Sequence, residues 1–174
     1  NSALHFIGFS RGTVVTSEII QRLGTYFPYA GGRLNADGTP VTKNGKQVRN
    51  LQMTTLAPHD FFQESLKIDL ILPGTTFKSK DFRDFEEPRV EVWENVTFAD
   101  NYYQTVANPK GRTFTPNGRF VEGADVNVKL NGRAGFTSDN GRGGPHSNAF
   151  AWYAGTVDFD LDKVNNVYTE GQKP

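Results

Sequence analysis

The run Leu4-His5-Phe6-Ile7-Gly8-Phe9-Ser10-Arg11-Gly12-Thr13-Val14-Val15 constrains this chain more than any other stretch. Residues 4–7 are largely apolar and read as a short buried strand. Residues 11–23 carry Val14, Val15, Ile19, Ile20 and Leu23 near i, i+4, i+5 and i+8, the apolar stripe of a helix, with Gly24 as its stop. Thr13, Val14, Val15 and Thr16 are poor helix formers, so packing must carry the first turn. Between strand and helix the chain has only Gly8-Phe9-Ser10-Arg11-Gly12 in which to turn. Side chains two residues before and two after the serine would collide with the neighbouring elements, which accounts for glycine at both places. Such a turn holds Ser10 in a strained conformation and lifts its hydroxyl clear of the backbone. There the N-terminal dipole and N–H groups of the helix favour an anion.

The spacing is that of a G-x-S-x-G nucleophile elbow, with the Arg11 N–H as an oxyanion donor. The five residues alone would equally suit a tight turn with a serine cap; the strand before them and the amphipathic helix after them favour the elbow. A serine nucleophile needs a base, and the chain has three histidines. His5 lies inside the first strand, where a packing role is expected. His59 sits in Ala57-Pro58-His59-Asp60, after a second strand at 49–56. His146 sits far downstream in Gly143-Gly144-Pro145-His146, at the end of a loop. Elbow enzymes run Ser, acid, His along the chain, and only His146 has a full set of acid candidates between it and Ser10. His146 is therefore the favoured base and His59 the alternative. Asp60 and Asp100 both follow strand-like segments and are both candidate acids; each would also serve as an Asx turn or a helix cap.

The remaining chain is turn-rich. Residues 25–48 hold Gly31-Gly32, Asp37-Gly38 and Asn44-Gly45, the hairpin signals of an inserted excursion. Residues 89–98 alternate as a strand, residues 124–130 suggest another, and residues 108–145 otherwise form a Gly/Asn/Pro/Arg-rich loop region. Residues 147–157 suit a helix or a mixed turn. Phe9, Phe98, Tyr102, Tyr103, Phe150, Trp152 and Tyr153 lie close in sequence to the proposed site, with Phe9, next to the serine, the first choice for a substrate pocket; a core role suits the set equally.

Charge excludes some partners. The 19 basic and 19 acidic residues cancel, so neither nucleic acid nor an anionic membrane surface is indicated. No apolar run approaches the ~20 residues that span a bilayer. Cysteine is absent, so there is no thiolate metal site. The Asp/Asn density at 35–45 and 131–144 does not follow calcium-loop spacing, and no cofactor or metal is expected.

On Gly8-Phe9-Ser10-Arg11-Gly12, the order Ser10, Asp, His146 and the segment Met53-Thr54-Thr55-Leu56-Ala57-Pro58-His59-Asp60, the chain resembles the lipase and esterase branch of the α/β-hydrolase superfamily. The resemblance implies a mainly parallel sheet with helices on both faces and hydrolysis of a small-molecule or lipid ester by a Ser-His-Asp triad. It also implies a bacterial secreted protein. Lipase-like members often end the strand after the nucleophile helix in Leu-Asp-Pro, the aspartate being the acid. Here the same place reads Leu56-Ala57-Pro58. The acid is then Asp100, or Asp60, or absent. In this fold several strands and the loop with the second oxyanion donor precede the elbow, so the resemblance makes residues 1–174 the C-terminal part of one domain and an N-terminal portion a partner. A catalytically degenerate module of the same fold is a second reading. A β-rich carbohydrate-binding domain is a third, which the helix at 11–23 disfavours.

Overall fold

The computed structural model describes residues 3–60, 71–72, 75–76, 88–106, 117–137 and 144–157. Strand β1 (Leu4–Phe9) runs into helix α1 (Gly12–Tyr26) through the turn at Ser10 and Arg11. A hairpin of β2 (Thr42–Lys43) and β3 (Lys46–Gln47) follows, then β4 (Leu51–Leu56). The short pair β5 (Ile71–Leu72) and β6 (Thr75–Thr76) precedes β7 (Phe98–Tyr103), β8 (Val126–Lys129) and helix α2 (Gly144–Val157). β1, β4, β7 and β8 form one sheet in the order β1-β4-β7-β8, and every pairing in it is parallel. This is an α/β architecture.

The period of two along the strands sends alternate residues to opposite faces. On one face, Leu51 and Met53 of β4 and Ala99 of β7 pack with Val14 and Ile20 of α1, and Leu4 and Phe6 of β1 join them. On the other, Phe9, Tyr102 and Val128 pack with Ala149 and Trp152 of α2. The two helices thus cover opposite faces. The sequence stripe on α1 is narrower than its apolar residues suggested: Val14 and Ile20 are buried, but Val15 and Ile19 are exposed. Thr13, Thr16 and Ser17 take the inner positions instead. Small residues are needed there because α1 lies very close to β1. A Cβ on Gly8 would stand 2.6 Å from Thr13 Cα, whereas one on Gly12 would meet nothing within 4 Å, so the collision expected at both glycines occurs only at Gly8.

Several boundaries differ from the sequence reading. α1 runs through Gly24 to Tyr26 rather than stopping at it. The glycine makes room for Asn95, whose Nδ2 would be 3.0 Å from a Cβ there. The strand expected at 89–98 is not one; β7 starts at Phe98. Val90 is still buried, so the alternation was real, but the segment bonds to α1 instead of to a ladder. Ser17 Oγ accepts from Glu91 N–H at 3.0 Å and from Trp93 Nε1–H at 3.0 Å, and Asn95 Nδ2 donates to Ile20 O at 2.8 Å. Those groups are then spent. In the excursion, Asn44 and Gly45 take φ 53° and 76° at the hairpin turn, as Asn-Gly should. Asp37 Oδ1 accepts from Thr39 N–H at 2.9 Å, an Asx turn that accounts for part of the acidic density there. The strand at 124–130 is β8, and 147–157 is helical, extended back to Gly144. Residues 107–116 and 138–143 of the loop-rich region lie outside the described residues.

Candidate active site

Ser10 and Ala57 sit side by side where β1 and β4 end. The register places Phe9 opposite Leu56, and Ser10 N–H donates to Leu56 O at 2.9 Å. Ala57 N–H in turn donates to Tyr102 O of β7 at 2.7 Å. Both residues have positive φ, 54° at Ser10 and 45° at Ala57, in the left-handed region where side chains other than Asn and Asp are strained. With Asn44, these are the positive-φ non-glycine residues among those described, so strain is concentrated at the rim of the sheet. Ser10 pays for nothing by itself; its conformation is held by Thr13, whose N–H and Oγ1–H both reach Ser10 O. Arg11 is the N-cap residue of α1 and Gly12 its first residue, so helical N–H groups and the positive end of the dipole face the serine turn.

His146 lies in the first turn of α2, not at the end of a loop. Its ring packs on Phe9 at 4.8 Å between centroids, tilted by 32°. Phe9 precedes Ser10, so the fold brings the favoured base to the residue beside the favoured nucleophile across 136 positions of sequence (146 − 10). Phe150, one turn along α2, also contacts Phe9, at 5.9 Å. His59 joins them: it is 2% exposed, and its ring lies 6.4 Å from that of His146, edge on. His59 Nδ1 is 3.3 Å from Asn117 O. His5 is remote from this group. It is exposed, and its Nε2 is 2.8 Å from Thr54 Oγ1 in the middle of the sheet.

The two candidate carboxylates are engaged elsewhere. Asp60 is fully buried and forms an ion pair with Arg119, through both Nε and Nη2, while accepting from Val90 N–H at 2.9 Å. Arg119 also donates to Val90 O at 3.0 Å. The pair clamps three separate loops together behind the strand ends. Asp100 is not on a loop after a strand but inside β7, paired with Thr54 of β4. Its Oδ1 accepts from Thr54 Oγ1–H at 2.5 Å. With Thr54 donating to Asp100, His5 donates to Thr54, and a polar row His5–Thr54–Asp100 crosses three strands. Tyr102, two residues on and on the same face, also bonds Asp100. Its phenol is pushed up to about 12, first by burial, then by the charge of Asp100 and the bond to it, and last by Tyr153. Nothing in the sequence separates an aspartate in a strand from one on the loop behind it unless the strand boundary is placed to within two residues.

Ala57 occupies the rim position itself. It is fully buried, in one cluster with Leu130, Phe136 and Ala149, against which Phe9 and Tyr102 pack. Gly118 presses on it from above; a Cβ there would be 2.9 Å from Ala57 Cα. Tyr102 meets Trp152 at 5.3 Å and Tyr153 at 5.7 Å, so most of the aromatics near the site are packed against α2. The exceptions are Tyr103, which lies beside Gly118, and Phe98, at the opposite end of β7 and 38% exposed. No helix among the described residues is long and apolar enough to cross a membrane, and no three His, Cys, Asp or Glu among them converge as metal ligands.

Compared with known proteins, the chain matches no family model, no curated protein and no solved structure.

Proposed function

We propose that this chain is the catalytic portion of a serine hydrolase of α/β-hydrolase type that cleaves carboxylic esters. One observation carries the reading: Ser10, at φ 54° between a parallel strand and a helix N-terminus, has His146 delivered to its neighbour Phe9 from the far end of the chain. A serine cap on a turn needs no positive φ and no histidine. In this reading Ser10 Oγ attacks the ester carbonyl while His146 takes its proton. The Arg11 N–H and the helix dipole stabilise the oxyanion. His146 returns the proton to the leaving alcohol, and then activates the water that hydrolyses the acyl-enzyme. Phe9 and Phe150 form the apolar wall met by a small-molecule or lipid acyl group. Asp60 and Asp100 hold the scaffold, and the place of the orienting acid is filled by Ala57, which makes the chain a slow esterase. β1 is the edge of the described sheet, and the reading adds further strands of the hydrolase fold along that edge.

The test is intact mass after incubation with a fluorophosphonate. A single adduct, lost in Ser10→Ala and strongly slowed in His146→Ala, is the expected result. The second reading, a module that keeps the fold without the chemistry, draws on the burial of Ala57 in an apolar cluster. It is the outcome if the folded chain takes no adduct.

A further inference from the structure

A large cavity among the described residues lies well away from Ser10. It has a volume of about 980 Å³ and is lined by Gln21, Gln47, Arg49, Trp93, Glu94 and Asn95, among others. Arg49 precedes β4 and Thr97, also in its lining, precedes β7. The cleft therefore lies at the ends of the strands opposite the serine rim, about 20 Å away for strands six residues long. Its size is that of a ligand site.

Its lining is both built and selective. Trp93 is fixed by its indole N–H to Ser17 Oγ, and Ser17 is fully buried and also donates to Glu91 O at 2.9 Å. Asn95 is 8% exposed and locked on Ile20 O. The aromatic and amide floor is thus held before any ligand arrives, so little ordering cost remains. One cation, Arg49, and one anion, Glu94, cancel in the lining, which leaves no field for a phosphate or a polycation. The lining combines amide, hydroxyl and charged groups with the apolar surface of Val48, Trp93 and Val96, a mixture that an acyl chain alone does not satisfy.

We infer that this cleft binds a neutral saccharide. Amides, a guanidinium and a carboxylate form the paired donors and acceptors that vicinal hydroxyls require, and the rigid indole supplies a flat apolar surface for the C–H face of a pyranose. The site does not depend on the hydrolase reading.

The test is calorimetric titration with maltotriose, cellotriose and chitotriose, with Trp93 fluorescence followed in a Trp152→Phe background. At least one trisaccharide binds, with a dissociation constant of about 1 mM or tighter, equivalent to about 4 kcal/mol. The surface double variant Arg49→Ala/Glu94→Ala loses tenfold or more in affinity while its melting temperature and its Ser10 labelling stay as in the parent. Absence of binding by all three sugars, equal binding by the double variant, or displacement of the sugar by inorganic phosphate overturns the inference. Failure of Ser10 labelling leaves it standing.

Discussion

Ala57→Asp puts the largest number of claims at risk in one substitution. Alanine at φ 45° carries a left-handed strain of about 1 kcal/mol that aspartate tolerates better. Against that relief stands burial. The position is fully enclosed beside Leu130, Phe136 and Ala149, and an unpaired carboxylate there costs several kcal/mol. The cost is offset only if the carboxylate finds a cationic partner, and His146, packed on the adjacent Phe9, is the candidate. Stability and activity are therefore coupled. Loss of the orienting carboxylate from a serine triad lowers turnover by ~10⁴, about 5.5 kcal/mol of barrier. Restoring it should recover a large part of that. The expected result is a gain of ~10²–10⁴ in kcat on p-nitrophenyl butyrate above the Ser10→Ala background, with KM changed little, and a melting temperature lowered by less than about 5 °C. Ala57→Asn is the control, since it relieves the same backbone strain without supplying the charge. Ala57→Asp that folds but hydrolyses no faster than the parent, or Ala57→Asn that gains as much, would refute the placement of the acid and with it the roles given to Ser10 and His146.

Other outcomes follow from single contacts. Gly8→Ala drives a Cβ to 2.6 Å from Thr13 Cα and 2.9 Å from Gly12 O, backbone on both counts; thermal unfolding should show a loss of about 3 kcal/mol or more, and Ser10 labelling should fall with it. Arg119→Met leaves Asp60 charged and buried without its partner, a loss of ~3–5 kcal/mol by denaturant titration, whereas Asp60→Asn/Arg119→Met together should recover part of it. Tyr102→Phe tests the raised phenol. The parent binds the phenolic proton more tightly folded, at about 12, than unfolded, at the ordinary 10.0, so this contribution is full below pH 10 and is lost as pH rises from 10 to 12. The variant should therefore show a shallower alkaline loss of stability over that window, measured by urea midpoints.

The sequence by itself determined the elements that short-range chemistry dictates. Glycine at position 8 is required by the approach of α1 to β1, and Asn44-Gly45 by the φ values of a two-residue hairpin; neither needs knowledge of distant residues. Chain order named His146 as a candidate, and the fold sets its ring on Phe9; its role as the base belongs to the proposal. Tertiary structure alone decided the rest, because the deciding partners are remote. The alternation at 89–98 signalled burial correctly, but its hydrogen-bonding groups met Ser17 and Ile20 of α1 before they could meet a strand. Gly24 read as a stop because local propensity cannot know that Asn95 fills the space beside it. Asp60 and Asp100 looked interchangeable, since an aspartate's role depends on which cation or hydroxyl faces it. Arg119 and Thr54 stand 59 and 46 residues away from them, and no local pattern records a pairing over that span.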